Sequence, residues 1–245
     1  MISGEGDCIY SKKPIGGVSI VTSTNRPHFF NRILENYNAQ LYKTKQLIII
    51  LNKDNMNLSK YRKIAHKYKN VQVYQLPERV SLGKCLNFAI NKSTYPYITK
   101  FDDDDYYSPY YLKEQIKAIR RTGADLVGKK AILNFLESSS KLIIRFPNQQ
   151  NKYTGLVAGG TILFKRQVFR NVRFANVSIG EDVNFLRRCR TRGYRIYATS
   201  PKNYVYIRRK DKMSHTWKVS ERYILHKSLL VARTKRFHRY AIQRY

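Results

Sequence analysis

Tyr97-Ile98-Thr99-Lys100-Phe101-Asp102-Asp103-Asp104-Asp105 reads as a short apolar strand that runs directly into four consecutive carboxylates. Acids are scarce in this chain, sixteen against 47 lysines and arginines, so four in a row carry information. In an open α/β sheet, ligands bind beyond the carboxyl ends of the strands. Adjacent carboxylates repel one another, and Mg²⁺ or Mn²⁺, which favour oxygen ligands, would relieve that repulsion. If the segment stays extended, Asp102 and Asp104 face one side and Asp103 the other. The plainer alternative is a solvated acidic turn, with Asp105 or Ser108 capping the helix expected to open at Pro109.

Upstream, residues 17–22 read as a buried strand ending in the polar turn Ser23-Thr24-Asn25-Arg26-Pro27. A helical stretch follows with Phe30, Ile33, Leu34 and Tyr37 on one face. Gln46 to Leu51 is a continuous apolar run, as in a strand covered on both faces, and ends at Asn52-Lys53-Asp54-Asn55. A basic helix is expected over 58–69, a strand over 71–76, and a helix carrying Leu82, Leu86, Ala89 and Ile90. Downstream of the aspartates, the helix after Pro109 carries Leu112, Ile116 and Ile119. Four alternations of strand and helix predict an α/β domain with a mostly parallel central sheet flanked by helices. Beyond Gly123, strand-like pieces at 126–135, 141–146 and 160–164, a helix at 181–192 and strands at 194–199 and 204–208 predict antiparallel additions in the second half. The expected division is an N-terminal extension (1–16), one domain (17–217) and a basic helical tail (218–245).

The formal net charge of +31 draws the chain toward polyanions without choosing among nucleic acid, anionic lipid, acidic polymer and phosphorylated substrates. Cys8, Cys85 and Cys189 are odd in number and widely spaced, which makes no disulfide framework and suits a reducing, cytoplasmic setting. The first fifteen residues lack the apolar core of a secretory signal, and no 18-residue apolar stretch is present.

A second acidic group, Gly180-Glu181-Asp182, opens the helix at 181–192, where either carboxylate suits the exposed amides of the first turn. Between the two acidic groups, Gly155-Leu156-Val157-Ala158-Gly159-Gly160-Thr161 allows close backbone approach, to a ligand or simply in a tight bend.

Taken together, the strand running into the aspartates, with Pro109 and Leu112 behind it, resembles the D-x-D segment of family 2 glycosyltransferases. Ser81-Leu82-Gly83-Lys84-Cys85-Leu86-Asn87 resembles that family's glycine-then-asparagine helix beside the nucleotide, and Gly180-Glu181-Asp182 with Gly193-Tyr194-Arg195-Ile196 its catalytic-base segment. The resemblance covers roughly residues 17–217 and implies a GT-A fold. It implies that Asp102 lies near ribose and metal, with Asp103 beside the nucleotide-sugar. Asp104 would ligate a Mn²⁺ or Mg²⁺ bridging the diphosphate, with His215 as an extra ligand. Asp182 would be the base, Glu181 the acceptor-orienting partner and runner-up base, and Gly159 and Gly160 donor or acceptor contacts. Thr22, Thr24 and Asn25 after the first strand, and Asn52 after the second, would meet the nucleotide. Family members often carry paired aspartates where this chain has Asn52-Lys53, so UDP is the default base on the family pattern alone. Lys84 and Arg79, and Arg208 or Arg209, are candidate phosphate contacts, and Trp217 a candidate sugar platform.

The implied reaction is metal-assisted, inverting transfer of a sugar from a nucleotide-sugar donor to a hydroxyl of a glycan or lipid-linked acceptor. The basic tail, with Leu229, Leu230 and Val231, would either rest on an anionic membrane or acidic polymer or pack as a helix onto the domain. Competing classes are a nucleic-acid binder, favoured by charge and twenty tyrosines, a non-catalytic scaffold, and a metal-dependent nucleotidyltransferase. A nucleic-acid role leaves both acidic groups unexplained.

Overall fold

The computed structural model describes residues 16–211, 215 and 218–245, so the expectations for Cys8, for nearly all of the 1–16 extension and for Trp217 lie outside the described residues. The first half alternates as the apolar pattern predicts: β1 (Val18–Thr24), α1 (Phe30–Ala39), β2 (Lys45–Leu51), α2 (Leu58–Ala65), β3 (Val71–Gln75), α3 (Leu82–Lys92) and β4 (Tyr97–Lys100). β2 shows why these elements form a covered sheet. Leu47, Ile49 and Leu51 join Ile33, Leu34 and Tyr61 on one face, while Ile48 and Ile50 join Leu86, Ala89 and Ile90 on the other. A strand's two-residue period makes that division, and burying each such side chain contributes roughly 1.5–3 kcal/mol. Asn57 and Ser81 cap α2 and α3 by accepting the amides of Lys60 and Lys84 at 2.9 and 3.3 Å.

The second half contains β5 (Tyr106–Tyr107), α4 (Tyr111–Thr122), β6 (Leu126–Gly128), β7 (Ile132–Leu136), β8 (Lys141–Arg145), β9 (Lys152–Tyr153), β10 (Leu163–Lys165), α5 (Arg166–Asn171), α6 (Glu181–Thr191), β11 (Ile196–Ala198) and β12 (Tyr204–Arg208). α4 starts two residues after Pro109, whose carbonyl instead accepts the Leu41 amide at 2.9 Å. It ends on Gly123 in the left-handed conformation (φ 67°). The main sheet runs β3-β2-β1-β4-β10-β6-β11-β9. β10 and β9 are its antiparallel members; the other six are parallel, as predicted.

The segment 126–135 is not one strand. It divides between β6 in the main sheet and β7 in a second sheet, because apolar pattern does not reveal which sheet a strand joins.

The tail also departs from expectation. After a short α7 (Glu221–Leu225) it forms β13 (Ser228–Arg233), then α8 (His238–Ala241). β13 pairs antiparallel with β8 and closes the second sheet, β13-β8-β7-β12-β5. The open edge of β8 outweighs the local helix pattern, since pairing satisfies main-chain groups that a short helix would leave to water. Leu229, Leu230 and Val231 are exposed rather than packed, and Ile224, Phe237 and Ala241 anchor the tail. Among the described residues, no helix is long and apolar enough to cross a membrane.

Candidate active site

A cleft of about 670 Å³ opens at the carboxyl ends of β1, β2 and β4 and extends to the second sheet. Thr24, Asn25 and Asn52 line it where β1 and β2 end, and Asp102, Asp103 and Asp104 where β4 ends. Gly159, Gly160, Glu181, Asp182 and His215 line it as well. Five expected contacts do not, among them Arg208 and Arg209, although Arg209 reaches Asp104. Thr22 is fully buried within β1, and Arg79 and Lys84 are exposed outside the cleft.

The aspartates do not alternate as an extended strand would, because β4 ends at Lys100 and the chain bends through Asp103–Asp105. Asp102 Oδ1 accepts from Lys100 Nζ at 2.9 Å. Asp103 accepts from Thr24 Oγ1 at 2.5 Å and from two nitrogens of Arg26, with Nε at 3.1 Å. Asp104 Oδ2 pairs with Arg26 Nη1 at 3.1 Å and also accepts from Arg209. Asp103 and Asp104 therefore share Arg26, while Asp102 turns to Lys100. Burial pushes Asp103 up, against Arg26. For Asp104, burial acts upward too, but Arg26, Arg209 and His215 outweigh it and hold this carboxyl below its ordinary value. Asp105 is buried and accepts from Tyr204 and from the Ile207 amide at 3.0 Å, which fastens the bend to β12. It caps no helix.

Lys100 joins the two acidic groups: the same ammonium lies 3.2 Å from Glu181 Oε1 in the first turn of α6. Burial alone would lower its pKa, but Asp102, Glu181 and Asp182 outweigh that and hold the ammonium above its ordinary value. Glu181 is buried and raised, by burial first and then by Asp182 and Asp102, with Lys100 opposing. Asp182 is half-buried, and its Oδ1 accepts the Val183 amide at 2.7 Å. The glycine pair is explained by these carboxylates. A Cβ on Gly159 would fall 1.8 Å from Asp182 Oδ2, and one on Gly160 would fall 2.5 Å from Asp102 Oδ2. Tyr107 fixes the same corner, its hydroxyl accepting the Asp102 amide at 2.8 Å and donating to the Gly160 carbonyl at 2.6 Å.

The glycine-then-asparagine helix serves the second acidic group. Asn87 exchanges hydrogen bonds with the main chain of Phe174 at 2.9 and 3.0 Å, and the Gly83 amide donates to the Val177 carbonyl at 3.1 Å. A Cβ on Gly83 would fall 1.8 Å from the Ala175 carbonyl oxygen. α3 thus holds the loop that leads into Glu181 and Asp182.

His215 Nε2 accepts the Arg209 amide at 2.9 Å, and burial with Arg209 and Arg208 pushes the imidazole down to about 4. Among the described residues, no three His, Cys, Asp or Glu side chains converge as a self-sufficient metal cage. Mg²⁺, however, is typically held by one or two carboxylates together with substrate phosphates. Asp102 and Asp104 supply such oxygens in one cleft, so the donor set fits an ion that arrives with a diphosphate.

Arg26 and Lys100 had no assigned role in the sequence. Among 47 basic residues neither periodicity nor spacing marks them, and only the fold brings them to the acids.

The chain matches the family "Glycosyl transferase family 2" over residues 19–174 and belongs to that family. No curated protein sequence matches it. Solved structures with the same fold include S. aureus TarS 1–349 in complex with UDP-GlcNAc, at 17% identity and TM-score 0.66, covering 83% of this chain and 62% of that one. S. aureus TarS 1–349 without that ligand matches at 17% identity and TM-score 0.63, covering 78% and 60%. The chain thus spans about three-fifths of the length of these TarS structures.

Proposed function

We propose that this chain transfers a sugar from a nucleoside-diphosphate donor, UDP by default, to an acceptor hydroxyl by a single displacement with inversion. The observation that carries this reading is the meeting of the β4 aspartates and the Glu181–Asp182 pair in one cleft, linked through Lys100. The UDP-GlcNAc complex of TarS, which shares the fold, supports a UDP-sugar donor.

Asp182 is the base in this reading. Glu181 is buried and tied to Lys100, whereas Asp182 is half-exposed against Gly159. The acceptor hydroxyl oxygen forms the new bond to the anomeric carbon as its proton passes to the Asp182 carboxylate. The bond from that carbon to the diphosphate oxygen breaks, and its electron pair leaves with the nucleoside diphosphate. Lys100 and Arg26 supply fixed positive charge near the leaving group. Asp102 and Asp104 would hold a Mn²⁺ or Mg²⁺ together with substrate phosphate, and the ion when bound would stabilise charge on the leaving group, while His215 is engaged with Arg209. Asn25 and Asn52 would meet the base and ribose through their amides.

The exposed Leu229, Leu230 and Val231, with the basic residues around them, support a resting place on an anionic membrane surface near a lipid-linked acceptor.

Thermal unfolding with Mn²⁺ across nucleoside mono- and diphosphates and sugar nucleotides tests the donor site. A ligand that binds only the native state stabilises it by about 2.7 kcal/mol at about a hundred times its dissociation constant. A metal-dependent shift with one nucleoside diphosphate, lost in Asp104→Ala, is the expected result. No shift with any nucleotide would overturn the reading.

A further inference from the structure

The far end of the cleft is built from elements that the nucleotide end does not use. Lys130 precedes β7, Asn134 lies within it, Arg145 ends β8, Phe146 follows it, and Tyr223 comes from α7; all line the cleft. Asn134 is 1% exposed, yet neither its Oδ1 nor its Nδ2 has a hydrogen-bond partner in the protein. A buried amide left this way is costly, and such groups are rare in folded proteins. It has capacity both to donate and to accept.

Burial, and then the positive charge of Arg145, lower the Lys130 pKa. Lys130 makes no ion pair with a carboxylate among the described residues. Both cations lie against the Phe146 ring, whose centroid is 5.1 Å from Lys130 Nζ and 4.8 Å from Arg145 Cζ. The Phe146 backbone is left-handed (φ 51°), a conformation that bulky residues avoid and that concentrates at functional sites. The Tyr223 ring lies 5.5 Å from Arg145 Cζ, and its side chain also hydrogen-bonds that guanidinium. Two adjacent cations, an amide lacking protein partners and two rings make a built pocket for a charged, hydroxyl-rich ligand.

We propose that Lys130, Arg145 and Asn134 form an acceptor subsite for an anionic group, phosphate or carboxylate, carried on a sugar or polyol. The proposal rests on the glycosyl-transfer reading and names its acceptor class. The anion takes the charge-assisted bonds of Lys130 and Arg145, and Asn134 bonds the anion or a neighbouring hydroxyl. A neutral acceptor would leave Lys130 without a carboxylate or other anion to pair with among the described residues.

The test titrates glucose 6-phosphate, glucuronate and glucose by calorimetry into protein saturated with UDP. The expected result is binding of at least one anionic probe about tenfold or more tighter than glucose, as a charge-assisted hydrogen bond allows. Lys130→Gln should abolish that preference while UDP affinity stays within about twofold. Asn134→Leu should weaken the anionic probe yet raise Tm, a combination that a purely structural asparagine would not produce. No anion preference, whether all probes bind alike or none binds, overturns the proposal, as does a preference that survives both variants. If instead Lys130→Gln selectively weakens UDP-glucuronate against UDP-glucose, the subsite serves the donor and the acceptor assignment falls. Failure of UDP to bind at all would overturn the glycosyl-transfer reading, a separate outcome.

Discussion

Lys100 Nζ and Glu181 Oε1 lie 3.2 Å apart in a buried contact that ties the end of β4 to the first turn of α6. Lys100 also holds Asp102, so one side chain positions a carboxylate of each acidic group. Lys100→Met would strand two buried or half-buried acids, and breaking a buried pair typically costs about 3–5 kcal/mol. A loss near the lower bound is expected in urea unfolding. A change below about 1 kcal/mol would mean that the pair does not organise the site.

Glu181 has a pH signature of its own. Its folded pKa lies above the ordinary 4.5, from burial first and then from Asp182 and Asp102. The folded state therefore keeps this proton to higher pH than the unfolded chain, and stability from this group falls as pH rises from 4.5 toward its folded value. Glu181→Gln should flatten that part of the profile. Denaturant midpoints for wild type and variant, measured from 4.5 to neutrality, check this. Parallel profiles would contradict the raised value.

Gly159→Ala introduces a Cβ where Asp182 Oδ2 now lies. The carboxylate must move, and a displacement of about 1 Å at a reacting group can lower turnover about a hundredfold. We expect a fall in kcat of that order, with UDP affinity changed by less than about twofold. Undiminished kcat in steady-state assays would remove Asp182 from the base role.

The exposed β13 residues make a prediction about surfaces. Wild-type protein should float with phosphatidylglycerol vesicles and less with phosphatidylcholine vesicles, and Leu229→Ser with Leu230→Ser should reduce flotation on the anionic ones. Undiminished flotation of the double variant would assign the attraction to charge alone, which salt would then screen with a Debye length of about 8 Å at physiological strength.

Much of this protein is legible in local sequence. The apolar run of β2 divides between two faces because a strand's period is two, and Ser81 and Gly123 mark helix ends through the chemistry of their own side chain or backbone. The four aspartates at a strand end, and Glu181–Asp182 at a helix start, are likewise local patterns whose place in the fold follows from the elements they adjoin.

Other features came only from tertiary structure. Lys100 and Glu181 are 81 residues apart, and Arg26 and Asp103 are 77 apart. No local rule selects those cations from so many, and Arg79 and Lys84, plausible by proximity in sequence, lie outside the cleft. β7 left the sheet that β6 joined, and the tail became an edge strand instead of a helix, because each followed the partner with open main-chain groups. Periodicity and capping act over a few residues and are written in the sequence. The pairing of distant charges and sheet edges depends on where the packed chain crosses itself, and that the fold alone decides.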